Sequence, residues 1–351
     1  ALSAQPDVDL CLLVPRSWKH PLRETRFEPT PEDACYRSFP IPVHFSGSNG
    51  RFMFPWIALS RILRRERPDI LHLETDLLCL SAFQLILLNR LDTRARTVFF
   101  SWENLYHRHR PIRHFVEHYT IHNADHLIAG NRDAKDVLIR KGIARERIGT
   151  MPQIGVTARK TDERYPHHPP GPYTVGFVGR LIEEKGVFSL LEAFASLPDD
   201  SRLLMVGDGP ARSAFSEMAR RLQVAARVEM TGSVPFHDVE SYLRRMDVLV
   251  LPSLTTRLWA EQFGHVLVEA MVLGIPVVGS SSGAIPEVIG DGGLVFPEGN
   301  AVELAERLQR LADSPTLRVN LGLLGEGRCR RLYTHTRIAE QTCQIYRSLL
   351  G

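Results

Sequence analysis

Two short stretches concentrate side chains able to do chemistry. In A-E-Q-F-G-H-V-L-V-E-A-M-V-L-G-I-P-V-V-G-S, residues 260–280, Glu261 and Glu269 flank a glycine and the start of an apolar run. In G-R-L-I-E-E-K-G-V, residues 179–187, Arg180 closes a predicted strand and Lys185 precedes a glycine that opens a helix. A helix N-terminus offers unpaired N–H groups and the positive end of its dipole, so two cations beside it would hold a diphosphate. The alternative is two solvated surface cations flanking an acidic pair.

The two glutamates sharpen this reading. Gly264 lets the backbone approach a ligand closely, and the spacing predicts a helix from 265 to 273 that buries Val266, Ala270 and Leu273 and stops at Gly274 and Pro276. Glu269 then lies in the early turns and Glu261 in the loop leading in. Carboxylates are stabilised near helix N-termini, so Glu261 could simply balance the dipole and Glu269 could be a partnered acid. Glu269, however, has apolar neighbours on both sides, where an unpaired charge is costly unless it meets hydroxyls or a cation. Ribose and sugar hydroxyls are suitable partners.

These residues need elements to hold them. Apolar runs of four to six residues alternate with stretches of helical period, the pattern of β-α units around a parallel sheet. Predicted strands in the first half are 9–14, 69–74, 96–102 and 126–130, with helices near 55–66, 77–91, 112–122 and 131–141. The polar, proline-rich V-T-A-R-K-T-D-E-R-Y-P-H-H-P-P-G-P (156–172) is the predicted linker. Alternation then restarts with strands 173–179, 202–207, 228–232, 248–253, 276–280 and 294–297. The helices between them are 186–197, 210–222, 237–245, 264–273 and a short one from Pro286, and Asn300 and Glu303 form an N-cap pair for the next.

The expected fold class is α/β: two doubly wound Rossmann-like domains facing a cleft, an N-terminal one over 1–158, a linker over 159–172 and a C-terminal one over 173–333. The last helix, 334–351, would pack back on the N-terminal domain. In such sheets ligands bind beyond the carboxyl ends of the strands, so the residues just after each strand matter most. The chain opens A-L-S-A-Q-P-D-V-D-L-C-L-L-V-P without methionine, which suggests that a first strand of the N-terminal domain is missing.

Bulk properties exclude several classes. A length of 351 residues suits two cores. A net charge of +3 from 43 basic and 40 acidic residues gives no case for a nucleic-acid partner. The five cysteines are scattered without C-x-x-C, arguing against a disulfide framework or zinc site and for a reducing cytosol. No signal peptide is recognised, and L-L-C-L-S-A-F-Q-L-I-L-L (77–88) is too short to span a membrane and reads as a buried helix. G-x-G-x-x-G follows no strand, which disfavours a nicotinamide-dependent oxidoreductase.

The order G-R-L-I-E-E-K-G, V-G-D-G-P (206–210), T-G-S-V-P (231–235), E-Q-F-G-H-V-L-V-E-A-M (261–271) and G-I-P-V-V-G-S (274–280) resembles glycosyltransferase family 4. For residues 1–155 the likeness rests on strand pattern and P-D-I-L-H-L-E. The resemblance implies the GT-B fold and retaining transfer from a nucleotide diphosphate sugar. It implies that Arg180 and Lys185 bind the donor diphosphate, that Glu269 holds the ribose hydroxyls and that Glu261 contacts the donor sugar. Gly179 and the backbone around Phe263, Gly264 and His265 would lie near phosphate or sugar, and Ser233, Val234 and Pro235 would line the nucleobase. Arg180, Lys185 and helix amides could neutralise the leaving group, so no metal and no cofactor are expected.

On the acceptor side the family often places a histidine where this chain reads F-F-S-W-E-N-L-Y-H-R-H-R-P (99–111), with Trp102 and Glu103 at the strand end. Glu103, or Glu74 at the end of L-H-L-E, could orient an acceptor hydroxyl; both could equally be structural or solvated acids. His107, His109, His114, His118 and His122 include helical i, i+4 steps, but no acid or cysteine completes a metal set in the sequence, so a solvated face is expected. Together with the basic and aromatic 52–68, this region suggests peripheral contact with an anionic membrane, the alternative being a surface patch with no membrane role. The expectation is a cytoplasmic enzyme, at the inner face of the membrane, acting on a glycan, lipid-linked or small-molecule acceptor. A nucleotide-sugar epimerase of related fold and a catalytically silent nucleotide-sugar-binding protein are the alternatives.

Overall fold

The computed structural model describes residues 1–20, 23–158 and 171–351. Most of the predicted linker, 159–170, lies outside the described residues. The chain divides into two compact units, Ala1–Gln153 with Ile338–Gly351, and Ile154–Arg337.

In chain order the first unit holds β1 (Cys11–Pro15), β2 (Ser17–His20), β3 (Arg23–Arg26), β4 (Arg37–Ile41), α1 (Trp56–Glu66), β5 (Ile70–Leu73), α2 (Leu80–Asp92), β6 (Arg96–Ser101), α3 (Pro111–His122), β7 (His126–Ala129), α4 (Arg132–Arg140) and β8 (Ile148–Thr150). A four-stranded parallel sheet runs β5-β6-β7-β8. The predicted strand at 9–14 is present as β1, but it pairs in parallel with β4 in a separate two-stranded sheet. β4, whose R-S-F-P-I includes a proline, and the antiparallel pair β2–β3, rich in polar residues, fall outside the predicted strands.

β6 has neighbours on both sides and is buried on both faces. Phe99 packs with Leu59, Ile86 and Leu127, whereas Val98 and Phe100 point the other way, onto Ile128, Met151 and Ile338 of the C-terminal segment. The stretch at 77–88 is indeed a buried helix, with Ala82, Ile86 and Gln84 fully enclosed in α2.

The second unit holds β9 (Thr174–Val178), α5 (Val187–Ala195), β10 (Arg202–Val206), α6 (Arg212–Arg221), β11 (Val228–Gly232), α7 (Val239–Leu243), β12 (Val248–Leu251), α8 (His265–Val272), β13 (Val277–Ser280), α9 (Ile285–Ile289), β14 (Gly293–Phe296), α10 (Ala301–Asp313) and α11 (Pro315–Leu332); α12 (His335–Leu350) starts here and continues into the first unit. The six strands are all parallel in the order β11-β10-β9-β12-β13-β14. The sheet therefore grows outward from β9 in one direction and then from β12 in the other. Between these two strands successive crossovers depart to opposite sides, which opens a crevice at their carboxyl ends.

Two local expectations are corrected. α8 is buried almost all round by Leu267, Val268, Ala270 and Met271, while Val266 is only half-buried. Asn300 does cap α10, its Oδ1 accepting from Glu303 N at 3.1 Å, but the Glu303 carboxylate turns to Arg307 at 2.9 Å instead of completing a box.

Candidate functional site

The switch point carries the charged residues singled out in the sequence. Beyond β9 the chain passes Gly179 and Arg180, makes a short 3-10 turn at Glu183–Lys185 and enters α5 through Gly186 at φ 65°. A Cβ on Gly186 would stand 1.8 Å from the Pro252 carbonyl oxygen, so only glycine lets the start of α5 close on the end of β12. This contact sets Lys185 beside the loop that follows β12. Lys185 Nζ donates to Glu261 Oε2 at 2.5 Å and sits 4.8 Å from the centroid of the Trp259 ring. Ser253 Oγ donates to the same carboxylate oxygen at 2.8 Å. Glu261 is 7% exposed and thus a buried acid held by a cation and a hydroxyl, whereas the Lys185 side chain keeps 21% of its surface open.

Arg180 serves a different wall. It lines an open pocket of about 540 Å³ with Glu183, Glu184, Phe188 and Pro210, and neither Lys185 nor Glu261 lines it. Gly264 is the N-cap of α8 at φ 73°, and no side chain caps that helix. Phe263 just before it is buried edge-on against Tyr333, ring centroids 5.6 Å apart. Ser233 and Pro235 are exposed and Val234 is half-buried, all three in the loop after β11.

Glu269 meets a histidine from its own helix: His265 Nδ1 stands 3.0 Å from Glu269 Oε1, and His265 Nε2 stands 3.2 Å from the Gly155 carbonyl oxygen. Two N–H groups on the ring, as in the imidazolium, would satisfy both contacts. Burial alone would lower the His265 pKa; the hydrogen bond and charge of Glu269, with the Gly155 carbonyl, outweigh it and raise the pKa above the ordinary value. The Glu269 side chain remains 18% exposed and within reach of a ligand.

In the first unit, Glu74, Trp102, Gly130 and Gln153 lie just past the carboxyl ends of β5, β6, β7 and β8 respectively. Trp102 lies over Gly130, where a Cβ would come within 2.1 Å of the indole. The indole N–H donates to Gln153 Oε1 at 2.6 Å, and Gln153 Nε2 in turn donates to Glu74 Oε2. Since an indole can only donate, this bond fixes which end of the amide faces Glu74. Burial pushes the Glu74 carboxyl up to about 7, against the opposing Gln153 hydrogen bond, although 43% of the side-chain surface is open. His72 beside it, 3.2 Å from Glu74 Oε1 and bonded through Nδ1 to the Tyr346 hydroxyl at 2.6 Å, is pushed down to about 4 by burial.

Glu103 has a different setting. Lys141 Nζ donates to Glu103 at 2.5 Å and also to Glu117, and His109 Nε2 lies 4.0 Å and 3.8 Å from the two carboxylates. The expectation of a solvated histidine face fails for His109: α3 carries Glu117 under the loop that brings Glu103 and His109 together. Among the described residues Glu103, His109 and Glu117 form a group that could take a metal ion, their ligand atoms lying within 4.8 Å of one another, but the Lys141 ammonium already contacts both acids. His114, His118 and the exposed side of His122 do follow the helix surface.

Sequence reasoning missed Ser253, Trp259, Gln153, His72 and Lys141. Ser253 had a signal, since it follows V-L-V-L-P at the end of a strand. Gln153 had none, because the three-residue β8 is too short to show a period.

Residues 3–153 match the family model described as "Glycosyl transferase 4-like domain" and residues 158–325 the model "Glycosyl transferases group 1". The chain is 33% identical over 146 residues to the 2-deoxystreptamine glucosyltransferase of Streptomyces kanamyceticus, covering 40% of this chain and 36% of the relative. It is 26% identical over 253 residues to the alpha-D-kanosaminyltransferase of the same organism, covering 68% and 64%. Its matches thus span about a third to two thirds of the length of these curated relatives. Among solved structures, HepE of Anabaena in complex with UDP superposes with a TM-score of 0.71 at 17% identity over 90% of this chain and 88% of that one. The two family models in tandem and the likeness in fold establish that the chain belongs to the family 4-like glycosyltransferases, with the GT-B fold.

Proposed function

We infer that this chain transfers a sugar from a nucleotide diphosphate sugar to a glycan, lipid-linked or small-molecule acceptor with retention of anomeric configuration. The observation that carries the reading is the convergence of Lys185, Glu261 and Ser253 at the switch point of the second sheet, the place where such sheets bind ligands. Arg180 and Lys185 take the donor diphosphate, supported by the Gly179 backbone and by the amides from Phe263 to His265 at the start of α8. Glu261 orients the donor sugar, Glu269 holds the ribose hydroxyls, and Ser233, Val234 and Pro235 line the base. Negative charge grows on the departing nucleotide as the anomeric carbon gains oxocarbenium character, and the cations supply its stabilisation without calling on a metal or cofactor.

UDP is the favoured nucleotide, because the Anabaena structures of like fold hold UDP and UDP-glucose. Glu74 and Trp102 make up the acceptor side, with Glu103 one step removed through its Lys141 pair. The enzyme works in the cytoplasm and touches the inner face of the membrane peripherally; no helix among the described residues is long and apolar enough to cross it.

The test is release of nucleoside diphosphate from UDP-, GDP- and ADP-hexoses, with and without a panel of glycoside and lipid acceptors, and the anomeric configuration of the product by NMR. Arg180→Ala and Lys185→Ala are expected to slow transfer, and Glu269→Ala to weaken nucleotide-sugar binding in calorimetry. Binding with no turnover under any acceptor would favour a silent binding protein instead.

A further inference from the structure

The donor and acceptor residues leave one surface of the first unit without a task. The first five residues of α3, Pro111 to Phe115, are all exposed, Ile112 at 80% and Phe115 at 60%. The helix buries Val116, Glu117, Thr120 and Ile121 on its opposite side. At helical spacing Ile112 and Phe115 share the outer face, and Tyr119 one turn on is half-buried, packing against the core beneath them. Phe83 of α2 lies beside both rings, with ring centroids 6.2 Å from Phe115 and 4.8 Å from Tyr119.

The charges along the segment that carries these side chains share one sign. Arg108, Arg110 and Arg113 are exposed along it, and no acidic residue occurs from Asn104 to Val116. The one acid on α3, Glu117, faces inward to Lys141. Single exposed apolar side chains are ordinary, but an aromatic and aliphatic patch on a segment whose charges are all cationic marks an interaction surface. A phosphate-bearing polymer would use the arginines and leave Ile112 and Phe115 in water. A lipid surface with anionic headgroups uses both, the apolar side chains at the acyl boundary and the guanidiniums at the phosphates.

We propose that the start of α3 is the face on which this chain rests on an anionic membrane, with Ile112 and Phe115 entering the bilayer interface and Arg108, Arg110 and Arg113 engaging lipid phosphates. This locates the peripheral contact in the functional reading above and rests on that part of it alone. Glutamate at Ile112, in the first turn of α3, is stabilised by the dipole, and Phe115 is exposed at the start of the next turn, so Ile112→Glu with Phe115→Glu removes the wedge while keeping α3 folded.

The test is sedimentation of the full chain with vesicles of phosphatidylglycerol and phosphatidylcholine, and with phosphatidylcholine alone. The wild type is expected to bind the anionic vesicles, to be released by salt, and to bind neutral vesicles at least about tenfold more weakly. The double glutamate variant is expected to lose about tenfold or more in binding at unchanged melting temperature, and Arg108→Ser with Arg110→Ser and Arg113→Ser to abolish the preference for anionic lipid. Absence of binding to anionic vesicles, equal binding by the glutamate variant, or lipid-free self-association that this variant abolishes would each overturn the proposal. UDP binding in the same preparations reads the donor site separately: UDP binding without vesicle binding sinks the membrane face only, and the converse sinks the donor reading only.

Discussion

Lys185 Nζ and Glu261 Oε2 lie 2.5 Å apart although 76 positions separate them in the chain. The pair links the loop after β9 to the loop after β12, so the cation proposed for the diphosphate is already tied to the acid proposed for the sugar. A bound diphosphate must share Lys185 with Glu261, and this competition tempers its affinity. Glu261→Gln is therefore expected to tighten UDP binding a few-fold while slowing transfer, a separation that calorimetry and turnover read independently. Lys185→Ala removes the cation that pairs with a buried carboxylate and is expected to cost about 1–3 kcal/mol in urea unfolding, besides slowing transfer about ten- to a hundredfold.

The His265–Glu269 pair makes stability depend on pH. The folded pKa of His265 is raised, so the protonated histidine stabilises the fold. That contribution is complete below the unfolded value near 6.5 and is lost as pH rises through the higher folded value. Urea unfolding between pH 6 and pH 9 should show this loss in the wild type, and His265→Gln should flatten it. A wild-type slope unchanged by His265→Gln would refute the assignment.

Glu74 titrates in the same sense for a different reason. Its carboxyl is raised from 4.5 to about 7 by burial, so the protonated form favours the fold; its contribution is complete below 4.5 and is lost as pH rises through about 7. Glu74→Gln should abolish this dependence. Gln153→Leu removes the hydrogen bond that opposes the shift and should move the midpoint further up, as followed by carbon NMR of labelled glutamate. If the Glu74 resonance titrates at the ordinary carboxylate value, burial does not perturb this carboxyl and the assignment fails.

Lys141 is 6% exposed and joins Glu103 to Glu117, itself 4% exposed. Lys141→Met strands two acids beside His109 and is expected to destabilise by about 3–5 kcal/mol. Adding Glu117→Leu to Lys141→Met should recover a large part of that loss, a coupling that a double-mutant cycle in guanidinium measures. Additive effects would mean that the pair does not interact.

Gly130→Ala is expected to eject Trp102, since the new Cβ would stand 2.1 Å from an indole carbon. The Trp102 to Gln153 to Glu74 chain would then open, with loss of stability and a shift of the Glu74 midpoint matching that of Gln153→Leu.

The repeated β-α pattern, the strand ends of the second unit and the order of its motifs were legible in the chain because apolar period and turn residues are local properties. β9 to β14 follow the predicted strands closely, and Arg180, Lys185, Glu261 and Glu269 all come from loops or helix starts that the pattern located. Partner choice was not legible. That Lys185 would reach Glu261 depends on Gly186 closing against Pro252, that Glu103 would be claimed by Lys141 depends on how α3 and α4 pack, and that Gln153 would hold Glu74 depends on β8 joining the sheet. Each joins residues far apart in the chain, and only tertiary packing decides which charges lose their water together.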